Sequence, residues 1–231
     1  MKVTSVSTLM ALILVCVGIG FAVQNKKAKI KVEKTARQLQ HGKLFKHGGK
    51  SLLDRAAEQN GDITVVADEP LGFSSEVSAP AASFLESAVC NADLVVVGTL
   101  TGETAQFNEG ETFIFTDYEL SVEEVVKNNG KAPVSTGGSI TVTRDGGTLT
   151  AGNRTFKALR EDFKLFPLNQ RYIFFLKHIP STGSYLAYLH GSFQLSGNKL
   201  VTFGDVPYEK SKDAAAFLAE ARSLAMSNCQ K

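Results

Sequence analysis

His41-Gly42-Lys43-Leu44-Phe45-Lys46-His47 places two imidazoles close together in the chain. Such a pair could begin a metal site, but a structural or catalytic zinc needs three or four ligands. No carboxylate or cysteine stands at helical spacing to complete the set, and the neighbouring lysines repel a cation. The segment reads as a solvated loop. Gly48-Gly49-Lys50-Ser51 has the end of a phosphate-binding loop, but Leu44 stands where that motif needs its first glycine. His178 and His190 fall near the ends of expected strands and could carry protons. Neither has a partner visible in the sequence, and catalysis needs a positioned partner as well. Asp117, Glu119 and Glu123 fall on one side of a strand. That would suit a cation or an acid–base pair, and it equally describes the wet face of a barrel. Ser135, Ser139, Ser184 and Ser192 lie outside any Gly-x-Ser-x-Gly elbow. The sequence therefore nominates no catalytic, cofactor-binding or metal-binding residue.

The elements that would position these side chains begin with an address. Leu9 to Val23 is an almost unbroken apolar run, with Lys2 before it and Gly20-Phe21-Ala22 at its end. That is the layout of a secretory signal, with small residues where a peptidase would cut after Ala22. Residues 1–22 are read as a signal peptide and the protein as secreted or periplasmic. A membrane anchor formed by residues 9–23 is the alternative, although a spanning helix needs about 20 apolar residues. Lys26, Lys27, Lys29, Lys31 and Lys34 follow directly, and positive charge there favours a cytoplasmic flank. Cys16 does not suit lipid attachment, because Val15 before it is too large for the usual lipobox.

Charge divides the remainder. Residues 26–55 hold ten Lys/Arg against Glu33 and Asp54, so an acidic stretch follows a basic arm although the whole chain is only +2. Such an arm suits an anionic membrane surface, since each nearby lysine adds about 1 kcal/mol of attraction. It suits a solubilising spacer as well. Export would exclude nucleic acid as a partner. Removal of residues 1–22 would leave Cys90 and Cys229 as an even pair, read as a disulfide in an exported chain. Closing so long a loop is worth about 4–5 kcal/mol by loop entropy. Two separate buried thiols are the competing reading.

The periodicity predicts a mainly β domain over 76–231, preceded by a basic, largely disordered linker over 23–75. Within that linker, Ser51 to Gln59 has a weak helical pattern and Ile63 to Ala67 suits a short strand. A helix is predicted over residues 80–89 and another over 211–227. Strands are predicted at 92–101, 112–127, 139–143, 172–178, 185–188, 191–195 and 200–203, with a shorter one over 152–158. Glu123-Glu124 breaks the alternation of the second strand, as a β-bulge would. Asp145-Gly146-Gly147 has the composition of a hairpin turn, with Thr148 to Ala151 returning. Short strands at regular spacing, with a helix before and after, suggest a small OB-like Greek-key barrel with a C-terminal helix.

Cys90-Asn91-Ala92-Asp93-Leu94-Val95 resembles the opening strand of the netrin-like module found in tissue inhibitors of metalloproteinases. Tyr118-Glu119-Leu120, Val125-Val126-Lys127 and Gly130 resemble that module's next strand, and Tyr172-Ile173-Phe174-Phe175 its late Tyr-Leu-Ile strand. The chain also looks like uncharacterised exported bacterial proteins. The resemblance spans about 90–205 and implies a five-stranded OB-type barrel closed by helices. It also implies that the motif cysteine pairs with one near the far end, here Cys229. Protease inhibition does not follow, because that chemistry needs a cysteine at the mature N-terminus. The sequence leaves two functional readings. One is an exported, non-catalytic module binding a protein or glycan in the envelope or outside. The other is an exported hydrolase-type enzyme whose site is assembled from distant His and Asp residues.

Overall fold

The computed structural model describes residues 32–67, 81–160, 163–187, 191–203 and 213–227. The apolar run, the bond after Ala22, Cys16, His190 and Cys229 lie outside the described residues. Strand at 45% against helix at 23% places the chain in the mainly β class.

Residues 32–67, the described part of the linker expected over 23–75, are built into the fold. They supply helix α1 (Ala36–Leu44), helix α2 (Leu52–Glu58) and strand β1 (Ile63–Ala67). Helix α1 starts on a reciprocal cap: the Gln38 N–H donates to the Thr35 hydroxyl, and the Thr35 N–H donates to Gln38 Oε1. Its buried residues are Gln38, His41 and Gly42, so it has no apolar stripe for a periodicity to detect. Polar contacts and close backbone approach dock it instead. A Cβ on Gly42 would lie 3.2 Å from the backbone N of Glu109, so glycine lets α1 settle on that loop without the loop giving way. Helix α2 follows the ordinary rule. Leu52, Leu53 and Ala56 are buried, and burial of each leucine is worth about 1.5–3 kcal/mol.

Helix α3 (Ala81–Asn91) leads into two long strands, β2 (Leu94–Phe107) and β3 (Ile114–Asn128), which pair antiparallel. Leu94 to Val97 are fully buried because both faces of β2 are covered. Leu94 and Val96 face one apolar cluster, whereas Val95 and Val97 face another under α3. The bulge expected near Glu123 is present: Val97 pairs with Glu124 but Gly98 pairs with Val122, leaving Glu123 over. A Cβ on Gly98 would sit 2.3 Å from the Ser121 carbonyl oxygen, so glycine permits the close approach at this slip.

Strand β4 (Ser139–Asp145) pairs with β3. The hairpin expected after it does not form. Strand β5 (Gly147–Ala151) leaves β4 and pairs with β6 (Arg154–Arg160), which also takes β1 in parallel to make a separate three-stranded sheet. The Asp145-Gly146-Gly147 corner is held on β3 instead. The Gly146 N–H donates to the Ile114 carbonyl, and the Thr116 hydroxyl donates to the Gly146 carbonyl at 2.7 Å.

Strands β7 (Arg171–Ile179), β8 (Ser184–Leu186), β9 (Ser192–Ser196) and β10 (Lys199–Thr202) complete the large sheet. Its order is β10-β9-β7-β2-β3-β4-β8, and β8 pairs again with β7, so part of the sheet closes into a ring. Inside the ring, Phe166 from the loop after β6 packs against Tyr118, Tyr172, Phe174 and Phe203. The buried Arg144 guanidinium lies 3.6 Å over the Phe163 ring and donates to the carbonyls of Phe163 and Lys164, tying that loop down. Helix α4 (Ala214–Ser227) packs Phe217, Leu218 and Ala221 with Phe84, Leu85 and Val89 of α3 over the opposite face of the sheet. Among the described residues, no helix is long and apolar enough to cross a membrane.

Candidate functional site

Alternation on β3 sends Tyr118 and Leu120 into the ring and Phe115, Asp117 and Glu119 outward. Helix α1 covers this outer side at Asp117. His41 Nδ1 lies 2.7 Å from Asp117 Oδ1, and its Nε2 lies 2.6 Å from Ser184 Oγ and 3.0 Å from Thr182 Oγ1. The two hydroxyls are 2.5 Å apart. An ionised carboxylate only accepts, so the imidazole donates at Nδ1, and in the neutral ring Nε2 then accepts from a hydroxyl. The relay is closed to solvent: His41 is 0% exposed, Asp117 5% and Ser184 2%. Phe45, Phe115, Ile179 and Leu186 form the apolar cluster at its side, and the His41 ring meets Phe115 edge-on at 6.2 Å.

The order carboxylate–imidazole–hydroxyl is that of an acyl-transfer triad. The surroundings present its other end. A groove of about 470 Å³ runs between α1 and β2–β4, lined by Arg37, Gln38, Glu103, Thr104, Asp117, Glu119 and Thr141 among others. Asp117 belongs to that lining while Ser184 does not. Oδ1 of Asp117 is held by His41, and Oδ2 is buried without a hydrogen-bond partner. Glu103 and Glu119 are exposed, and Glu119 accepts from the Ser139 hydroxyl at 3.1 Å. The one basic side chain in the lining, Arg37, donates to Thr141 Oγ1 at 2.8 Å. The arrangement offers a ligand carboxylate oxygens and hydroxyls, with His41 fixing how Asp117 points.

The other residues that the sequence singled out lie apart from this network. Glu123 is the bulged residue itself, accepting from Thr99 and Arg171. Burial alone would raise its pKa, but those two donors and the Arg171 charge hold it below the usual carboxylate range. His178 is half-buried beside the Tyr185 ring, and its backbone N–H donates to Asp93 Oδ2 at 3.0 Å. His47 stacks on Phe113 at 3.7 Å, with Nε2 buried and unpartnered. Ser135, Ser139 and Ser192 do not join the relay, whereas Ser184 does. Glu119 shares the groove with Asp117 as the alternation of β3 requires. Sequence reasoning misread His41 as part of a solvated loop: it is fully buried on α1, and its partner Asp117 is 76 positions away. The available signal was the Thr35-x-x-Gln38 cap, which marks a helix start and so makes His41 a helical residue.

The residues that carry the resemblance are spread over β2, β3 and β7: Tyr118 and Glu119 line the groove, whereas Cys90 to Val95 and Lys127 lie at the far end of the β2–β3 pair. Cys90 is in the last turn of α3, and the Lys127 ammonium donates to the carbonyls of Val89, Cys90 and Ala92. Asp93 accepts from Asn129, Lys131 and the His178 N–H. Burial raises its pKa, and the lysine and amide donors more than reverse that, holding it below the usual range. No protein-family model matches the chain, and no curated protein matches it.

Proposed function

We propose that the protein is an exported, non-catalytic binding module whose ligand enters the groove between α1 and β2–β4. The observation that carries this reading is the floor of the groove, where a buried Asp117 oxygen has no partner. A buried polar atom left unpaired costs about 1–3 kcal/mol, so an incoming donor is rewarded there more than on open surface. We further propose that the ring is an OB-type Greek-key barrel. The ring order β2-β3-β4-β8-β7, with β4–β8 its only parallel pair, supports this. The likeness to the netrin-like module is kept at the level of fold. Its support is a helix before and a helix after the barrel strands in the chain, packed together on one face, and a cysteine just before the first barrel strand.

Export rests on the apolar run and on a proposed Cys90–Cys229 cystine. Arg222 of α4 is bonded to Glu124 at 2.7 Å, and Lys127 of the same strand is bonded to the Cys90 carbonyl at 3.0 Å. Arg222 in the second half of α4 and the end of α3 thus both meet the Glu124–Lys127 part of β3, which supports the proposed pairing. In the described part of the arm, residues 32–55, the exposed lysines Lys43, Lys46 and Lys50 are the ones that could meet an anionic membrane.

The order Asp117–His41–Ser184 favours a second reading, a hydrolase with Ser184 as nucleophile. It ranks below the first because the Ser184 hydroxyl is enclosed and also bonded to Thr182. One measurement separates them. Envelope glycans and peptides are titrated into the isotopically labelled full chain and amide shifts are mapped. Binding predicts shifts concentrated at Glu103, Thr104, Glu119 and Thr141. Shifts confined to Thr182–Ser184, with ester hydrolysis abolished in Ser184→Ala, would overturn it in favour of the enzyme.

A further inference from the structure

We infer that the groove takes a primary ammonium group, on a small amine or an amino sugar, with its nitrogen at Asp117. This rests on the groove being the binding site. Among the described residues, three carboxylates line the groove, the exposed Glu103 and Glu119 and the buried Asp117, against the single guanidinium of Arg37. That guanidinium is already turned to Thr141. The excess of negative charge repels phosphate and carboxylate ligands and draws a cation.

The type of cation follows from Asp117. A guanidinium binds a carboxylate best as a fork, using both oxygens at once. Here Oδ1 is taken by the His41 Nδ1–H at 2.7 Å, and only Oδ2 is without a partner. A single buried acceptor suits a point donor. An ammonium gives one N–H to Oδ2 and keeps its other donors for oxygens such as those of Glu119, Glu103 and Thr141. A metal ion is not favoured, because no group of three or more His, Cys, Asp or Glu side chains is arranged to hold one among the described residues. The lining offers hydroxyl and amide groups from Thr104, Ser139, Thr141 and Gln38, which suits a polar body behind the nitrogen. The volume of about 470 Å³ has room for a short diamine or a single amino sugar.

The test uses the full chain and three probes: 1,4-diaminobutane, butylguanidine and N-acetyl-1,4-diaminobutane, with binding read by calorimetry and by amide shifts. The charge-matched N-acetyl-1,4-diaminobutane is expected to bind roughly tenfold more tightly than butylguanidine, and the doubly charged diamine more tightly still, with shifts at Thr104, Glu119 and Thr141. Asp117→Asn should weaken the diamine roughly tenfold or more, since a hydrogen bond to a charged group is lost. If that variant does not fold, the exposed pair E103Q/E119Q decides instead, with an expected weakening of about threefold. Equal binding of amine and guanidine, or diamine affinity unchanged in both variants, would overturn the ammonium assignment. So would the absence of diamine binding. Glycans or peptides that still map to the groove would leave the binding site standing and remove only the amine. Ligands that all map elsewhere would remove both.

Discussion

His41 joins three elements through one ring, and that makes its loss expensive. In His41→Ala, the Asp117 carboxylate stays buried with neither oxygen partnered, and the Ser184 hydroxyl loses an acceptor. Leaving a buried carboxylate without its hydrogen-bond donor costs about 3 kcal/mol. Urea unfolding should show that loss; a change under about 1 kcal/mol would mean that solvent reaches the pair. His47 makes a separate case at this scale. Burial on Phe113 lowers its pKa, Arg160 adds to that, and Asp145 opposes it. The neutral ring is therefore the form the fold prefers. On acidification the unfolded chain binds the proton first, so stability is present above the ordinary value of 6.5 and is lost as pH falls toward the lower folded value. His47→Phe keeps the stack and removes the proton, so its unfolding midpoint should fall less between about pH 7.5 and 5.5 than that of the parent chain. Asp117 was legible as a residue on a strand face. Its partner was not, because the capped helix carrying His41 has almost no apolar signature.

Among the elements, the long strands β2 and β3 were legible wherever their residues alternate, including the slip at Glu123. Gly98 is what lets that slip close. Gly98→Ala would push a methyl carbon to 2.3 Å from the Ser121 carbonyl, a backbone atom that cannot swing aside. Overpacking of this kind costs about 1–3 kcal/mol, and a strained paired backbone sits at the upper end. A thermal-melt comparison checks it; an unchanged melting temperature would mean that the two strands are free to spread there. The corner at Asp145-Gly146-Gly147 shows where local chemistry misleads. The residues are those of a tight reversal, yet β5 turns away, because β8 takes the outer edge of β4 and β6 offers β5 a full partner. Both pairings are distant in sequence, and a turn motif carries no information about either.

For the whole molecule, the mainly β character and the flanking helices were legible from spacing. The second sheet was not, since it needs β1 from the arm to lie parallel to β6. The proposed cystine belongs to this scale because it would join α3 to the end of the chain. Oxidised protein should unfold at higher urea than reduced protein, by about 4–5 kcal/mol in free energy. Mass spectrometry before and after reduction checks the bond itself, and two free thiols in exported protein would end the proposal.

The relay has a mechanical consequence. The parallel contact of β4 with β8 spans two residue pairs, Val142 with Tyr185 and Thr143 with Leu186, so the ring has a short seam. His41 bridges that seam from outside, gripping Asp117 on β3 and Ser184 on β8 with β4 between them. It works as a buckle across the weakest join of the hoop. A ligand seated on Asp117, as proposed, would act on the same buckle, so filling the groove is expected to change how firmly the β4–β8 seam is held.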